Sequence, residues 1–320
     1  MLVFIIIILL WFISNKEHFY SKAITIDFIS PQDACNIFQK LPDISTYITN
    51  FRKNEKSIKK CTTGISSCIQ KYCSNFQQFT TTQKSHIYSL LMRIIPKLKA
   101  IYPKFDYDNW YIIQSNSQIE GNMPFTISKY IILPKSYINK SIEMGTNENM
   151  ESSIKYLGDI LIHEKMHIVQ RQNQQLFNKF YQQSWNFSYL SNINIPDNIE
   201  SKIRSNPDGL DINWIYTNPK TKKKYLPLSL LNNTKQLSSV DIVHYPIFKS
   251  NHQYYLKNSL KTNREYDRFF CNLSFAYHPN EISAYLFSEI MLASWELTTI
   301  DYKCPAMRCY LTWLKKTFGK

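Results

Sequence analysis

The stretch from 151 to 183 contains no proline, and Gly158 is its only glycine. Ile154, Leu157, Ile160, Leu161, Ile168, Leu176, Phe177 and Phe180 recur along it at helical spacing, so it reads as one long helix. Within it His163, Glu164 and His167 stand in the order His-Glu-x-x-His. Positions four apart on a helix share a face, so the two imidazoles can reach one metal ion. Glu164 follows the first of them and can face water at that ion. Zinc in such a site lowers the pKa of water, and a carboxylate takes the proton as the water attacks a carbonyl. These residues are the minimum that metal-assisted hydrolysis of a peptide bond requires. The competing reading is a buried helix whose two histidines are satisfied by hydrogen bonds alone.

On His163, Glu164 and His167 the chain resembles the zincin metallopeptidases, whose branches differ in the third metal ligand. The metzincin pattern needs Gly at 170 and His at 173, where this chain has Gln170 and Asn173. No histidine lies between His167 and His244, which removes a third imidazole shortly after the motif. The gluzincin branch uses a glutamate, often as Asn-Glu at the start of a later helix. The run from 278 to 287, His-Pro-Asn-Glu-Ile-Ser-Ala-Tyr-Leu-Phe, matches that pattern at Glu281. The resemblance therefore implies Zn2+ held by His163, His167 and Glu281, with Glu164 as general base and a peptide or protein as substrate. The chain departs from the branch at Tyr285, where an aspartate that orients the first histidine often stands, and in the long interval from His167 to Glu281. His278, Asp208 and Asp211 remain alternative third ligands. His244, His252 and Arg268 are candidates for stabilising an oxyanion, and the sequence does not rank them.

The implied fold class is α+β and zincin-like: a helical N-terminal subdomain, a β-hairpin or small sheet, the motif helix, and a later helix carrying the third ligand. Residues 30 to 101 read as helices near 31–41, 44–59, 64–77 and 83–99. Ser30 caps the first, Pro31 lies in its first turn, and Pro96 kinks or ends the last. Residues 109–119 and 125–134 read as a hairpin turning at Glu120-Gly121-Asn122. In the zincin architecture an edge strand above the metal pairs with extended substrate. Residues 184 to 270 read as loop-rich, with a strong turn at Asn206-Pro207-Asp208-Gly209. Residues 280 to 298 read as a helix. The expected divisions are 1–23, a signal or anchor; 24–104, the helical subdomain; and 105–320, the zincin-like domain.

Leu2 to Ile13 is unbroken apolar sequence. It is shorter than the about 20 residues of a membrane span and fits a secretory signal or a signal-anchor. Either one makes the membrane a partner and places the rest of the chain outside the cytosol, anchored or secreted. The seven cysteines lack the Cys-x-x-Cys pairs of a zinc ribbon. Cys61, Cys68 and Cys73, and Cys304 with Cys309, suit local disulfides in an oxidising compartment. An odd count leaves at least one thiol unpaired within the chain. Asn139, Asn186, Asn232 and Asn272 head glycosylation sequons, which an Asn-rich chain also produces by chance.

Net charge is +14, carried by 31 Lys and 7 Arg. The lysines are scattered and no nucleic-acid module is recognisable, so the charge reads as compositional bias and not as specific nucleic-acid binding. A hydrophobic share of 44% excludes a disordered protein. The excess of Lys, Ile and Asn is that of an AT-rich genome, as in some large DNA viruses. A binding or structural surface protein, for example a virion membrane component, that keeps the fold without turnover is the first alternative function. A basic protein that binds nucleic acid or an anionic surface is the second.

Overall fold

The computed structural model describes residues 24–319 apart from 62, 106, 148, 233–235, 260–262 and 300–303. The apolar run at 2–13 and the expected segment 1–23 lie outside these residues. Among the described residues no helix is long and apolar enough to cross a membrane.

The fold is α+β. Strands β1 (Thr25–Ile29), β2 (Phe76–Gln77), β3 (Asn109–Ser115), β4 (Phe125–Ile127) and β5 (Tyr130–Pro134) form one sheet in the order β1-β3-β5-β4, with β2 paired to the end of β3. β1, β3 and β5 run parallel, with Ile112 opposite Ile131. Parallel strands are covered on both faces, and successive side chains alternate between two cores. Trp110, Ile112, Ile131 and Leu133 enter the larger core. Ile113, Ile132, Phe125 and Ile127 enter the smaller one. Helices α1 (Pro31–Lys40), α2 (Pro42–Thr49), α3 (Lys53–Ile58) and α4 (Ile65–Cys73) cover the smaller core. Helix α5 (Thr81–Ile101) lies on the opposite face.

Ser30 caps α1 by accepting from the Asp33 N–H at 3.1 Å. Helix α5 starts from a Thr80/Gln83 capping box and continues through Pro96 to Ile101 without ending there. The expected hairpin of 109–119 with 125–134 does not form, because β3 and β5 are parallel neighbours. The hairpin lies inside the second stretch, between β4 and β5. Its turn is at Ser128 and Lys129, with Ser128 at φ 53°. That turn carries neither Gly nor Asn, so the β-branched stretch read as one strand.

Helix α6 (Lys135–Asn147) follows β5. The expected single helix at 151–183 is three pieces. Helix α7 (Met150–Ser153) runs through a π-helical turn at Ile154–Gly158 into α8 (Asp159–Gln172), and α9 (Gln174–Ser184) follows. The break is at Asn173, whose side chain donates to the Val169 carbonyl at 2.9 Å and competes with the backbone ladder.

The segment expected to be loop-rich holds a six-stranded sheet instead. Strands β6 (Phe187–Tyr189), β7 (Ile193–Asn194), β8 (Trp214–Thr217), β9 (Lys224–Leu231), β10 (Val240–Ser250) and β11 (Gln253–Leu256) lie in the order β6-β8-β9-β10-β11-β7. β9 is buried along nearly its whole length, so it shows no alternation, and Pro227 and Pro246 interrupt the strand pattern. Of β9, only Lys224 and Tyr225 pair with β8, so Pro227 lies where β9 has no β8 partner to donate to. Helices α10 (Asp197–Glu200), α11 (Arg264–Phe269), α12 (Pro279–Ser294) and α13 (Pro305–Phe318) complete the chain.

Disulfides join Cys35 to Cys73, Cys61 to Cys68 and Cys271 to Cys304. The expected Cys304–Cys309 pair does not form, and Cys309 is a free thiol. Cys304 caps α13 and Cys309 lies on it. Five residues of helix separate α-carbons by about 7.5 Å along the axis, beyond the reach of a disulfide.

Candidate metal centre and its cleft

Helix α8 carries His163 and His167 on one face, and α12 carries Glu281 in its first turn. Their Nε2 atoms lie 3.0 Å apart. Glu281 reaches His163 Nε2 at 3.5 Å and His167 Nε2 at 3.4 Å. The three donor atoms lie within 4.8 Å of one another and all three residues are shielded from solvent. The structure thus brings the three expected ligands to one point.

The surroundings fit a cation. His167 Nδ1 lies 2.9 Å from Gln170 Oε1. Gln170 Nε2 donates to the Asn280 carbonyl at 2.9 Å and to Ser283 Oγ at 2.8 Å. This fixes the amide orientation, places the proton on His167 Nδ1 and turns the Nε2 lone pair toward Glu281. Burial lowers the pKa of His167 and keeps it neutral, the form that binds metal. Burial works against the charge on Glu281, yet its carboxyl stays below the usual range. Asn206 Nδ2 donates to Glu281 Oε1 at 2.7 Å and to the Tyr277 hydroxyl at 2.6 Å.

Glu164 is buried, and its Oε2 has no hydrogen-bond partner. It lies on the same cleft wall as the two histidines. Burial raises its pKa well above the ordinary carboxylate value, reinforced by Asp208 and Glu281 and opposed by Arg171. His163 Nδ1 has no partner either. At position 285 the Tyr ring packs against the His163 ring, centroids 4.4 Å apart at 61°. His163 is therefore positioned by ring packing where a carboxylate was the family expectation.

Of the alternative ligands, His278 and Asp211 fall outside this cluster and Asp208 lies beside it. His278 caps α12: its Nδ1 accepts from the Asn280 N–H at 3.1 Å and its Nε2 donates to the Asp211 carbonyl at 3.1 Å. Both ring nitrogens are engaged, and burial lowers its pKa to about 4. A β-carbon at Gly209 would come within 2.8 Å of this ring, so the turn needs glycine there. Asp211 is exposed. Asp208 is buried and belongs to a neighbouring group with Glu164 and His167. Its carboxylate accepts from Arg171 and from the Thr126 hydroxyl.

This last contact alters the expected role of the edge strand. β4 is the free edge of its sheet, and Thr126 would offer its main-chain groups there. The Thr126 N–H donates to Asp208 at 3.4 Å, and Arg171 Nη2 donates to the Thr126 carbonyl at 3.1 Å. Arg171 Nη1 also donates to the Ser128 carbonyl at 3.2 Å. The edge at Thr126 is thus covered from within the chain, and an added strand has no groups to pair with there. Met123, Pro124 and Phe125 line the cleft beside it.

The three oxyanion candidates are outside the cleft. His244 is buried in β10 against Tyr266, centroids 4.4 Å apart. His252 lies in the exposed β10–β11 turn, and Arg268 is exposed on α11. Residues that the sequence did not single out take their place: Arg204, Asn206 and Tyr137 line the cleft with Tyr285. A signal for two of the missed residues is present in composition. In a chain with 31 Lys, one of its only 7 Arg, Arg204, lines this cleft, and another, Arg171, binds the cleft residue Asp208. Compared with family models, with curated proteins and with solved structures, the chain finds no match.

Proposed function

We propose that the chain is a zinc metallopeptidase of the zincin type, gluzincin-like in its third ligand. The observation that carries this reading is the convergence of His163, His167 and Glu281 on one point beside the unpartnered Oε2 of Glu164. His163 and His167 would hold the metal through Nε2 and Glu281 through its carboxylate, the three-protein-ligand set of catalytic zinc sites. Zinc there supplies Lewis-acid polarisation and lowers the pKa of water. Glu164 accepts the proton at Oε2 and passes it to the leaving amine. Gln170 and Tyr285 orient the two imidazoles, and Asn206 holds Glu281. The three disulfides support an oxidising, extracytosolic compartment. Metal analysis of the purified full chain tests the reading. One zinc per chain, with hydrolysis of a mixed peptide library that a chelator stops, is the expected result. A chain that holds no zinc in excess metal overturns it. Zinc without hydrolysis favours the virion or surface binding protein.

A further inference from the structure

Arg204 enters the cleft on a rigid support. Its N–H donates to the Ser229 carbonyl at 2.9 Å. The next residue, Ser205, is tied to Glu55 by its N–H at 3.1 Å and to the Asn50 carbonyl by its hydroxyl at 2.9 Å. The guanidinium lines the same cleft as His163, Glu164 and Glu281. Its Nη1 touches only the Met123 sulfur, at 3.7 Å, and its Nε is buried without a partner.

Among the described residues no carboxylate lies within salt-bridge distance of Arg204. The largest electrostatic support for its charge comes from Glu120, which also accepts from Lys59, Tyr47 and Tyr72. Arg171, which lies behind the cleft residue Asp208, is engaged by Asp208 and Thr126. Arg204 is half-buried, and its buried Nε is a donor left unsatisfied, which costs free energy. A guanidinium offers a planar fork that matches a carboxylate.

The rest of the cleft points the same way. Its volume is about 180 Å³, below the roughly 300–1,000 Å³ of ordinary ligand sites, so it admits a short piece of substrate. The covered Thr126 edge removes main-chain pairing that would hold the middle of an extended chain. Affinity must then come from a side-chain anchor. Glu120, Asp159, Glu164, Asp208 and Glu281 line the same cleft, and Arg204 is the one Arg or Lys among the lining residues, so a substrate carboxylate has Arg204 as its cationic counterpart there.

We infer that Arg204 anchors a carboxylate of the substrate, from the chain terminus or from an acidic side chain near the scissile bond. The inference rests on the metallopeptidase reading and names its substrate class.

The test measures binding by calorimetry to the full zinc-loaded chain carrying Glu164→Gln, which prevents turnover. The probes are peptides of one sequence with Glu or Gln scanned through each position and with a free or amidated C-terminus. At least one carboxylate-bearing form is expected to bind tenfold or more tightly than the neutral peptide. Arg204→Met should abolish that difference, and Arg204→Lys should restore part of it. Preference for the free terminus identifies the terminal carboxylate, and preference for Glu identifies the side chain. Equal affinity across the set overturns the inference without any change at position 204, so a misfolded variant cannot protect it. Undiminished discrimination in Arg204→Met overturns it as well. Equal hydrolysis of all probes by the wild-type chain rejects Arg204 alone. Absence of both zinc and peptide binding rejects the metallopeptidase reading and this inference together.

Discussion

Gln170 stands three residues after His167 and joins the two helices of the candidate metal centre. It accepts from His167 Nδ1 at 2.9 Å while its amide donates to Asn280 and Ser283 on α12. One side chain thus sets the tautomer of a ligand on α8 and the position of the helix that brings Glu281. Groups that orient metal ligands typically account for about 10–100-fold in metal affinity. Gln170→Leu should lose zinc affinity within that range, read by competition with a chromophoric chelator. An unchanged affinity would show that ligand geometry is set elsewhere.

Glu164 gives the complementary prediction. A glutamine there preserves volume and removes the proton acceptor. General-base removal typically costs about 10²–10⁴-fold in rate. Glu164→Gln should therefore keep stoichiometric zinc and lose peptide hydrolysis by that order. Retained turnover sinks the assigned base, and lost zinc assigns Glu164 to the ligand set instead.

The cluster of His163, His167 and Glu281 was legible because it rests on local rules. His163 and His167 are four apart on a helix, and Pro279-Asn280-Glu281 is a helix start that fixes Glu281 on a rigid element. The covered edge and Arg204 were not legible, because they depend on a turn and a sheet that reach the cleft from 203 to 231. Two prolines and a strand buried along its length hid that sheet from a search for alternation. The break at Asn173 and the β4–β5 turn were missed for a related reason: apolar spacing continues across both. The Cys304–Cys309 expectation failed on geometry, since a helix keeps the two residues too far apart.

A buried charge network supports the loop that carries Arg204 and Asn206. Lys59 is 5% exposed and lies 2.8 Å from Glu120, 2.9 Å from Glu55 and 2.8 Å from the Tyr47 hydroxyl. Burial alone would raise the pKa of Glu120, but Lys59 outweighs it and holds the carboxyl down. Removing one member of such a network leaves uncompensated buried charge, at a cost of about 3–5 kcal/mol. Lys59→Met should destabilise the chain by that amount in urea unfolding. It should also loosen the Glu55–Ser205 contact, seen as faster amide exchange at Ser205. A loss below about 1 kcal/mol would mean that water replaces the lysine.

His244 predicts how stability depends on pH. It is 4% exposed, packs on Tyr266, and neither ring nitrogen has a hydrogen-bond partner. The Tyr266 hydroxyl donates to the Ala276 carbonyl at 2.8 Å. Burial lowers the folded pKa from 6.5 to about 4, because charging the ring in this core has no compensation. Between those values the unfolded chain binds a proton that the folded chain does not. Stability is thus fully present above pH 6.5, falls as pH drops toward 4, and loses no more from this group below that. The gap corresponds to roughly 3 kcal/mol. His244→Phe removes the titrating group and two unsatisfied nitrogens while keeping a ring against Tyr266. Urea unfolding at pH 7.5 and pH 4.5 should show the wild type losing roughly 2–3 kcal/mol more than the variant between the two conditions. Parallel losses in both proteins would place the acid-sensitive group elsewhere and leave His244 as a packing residue.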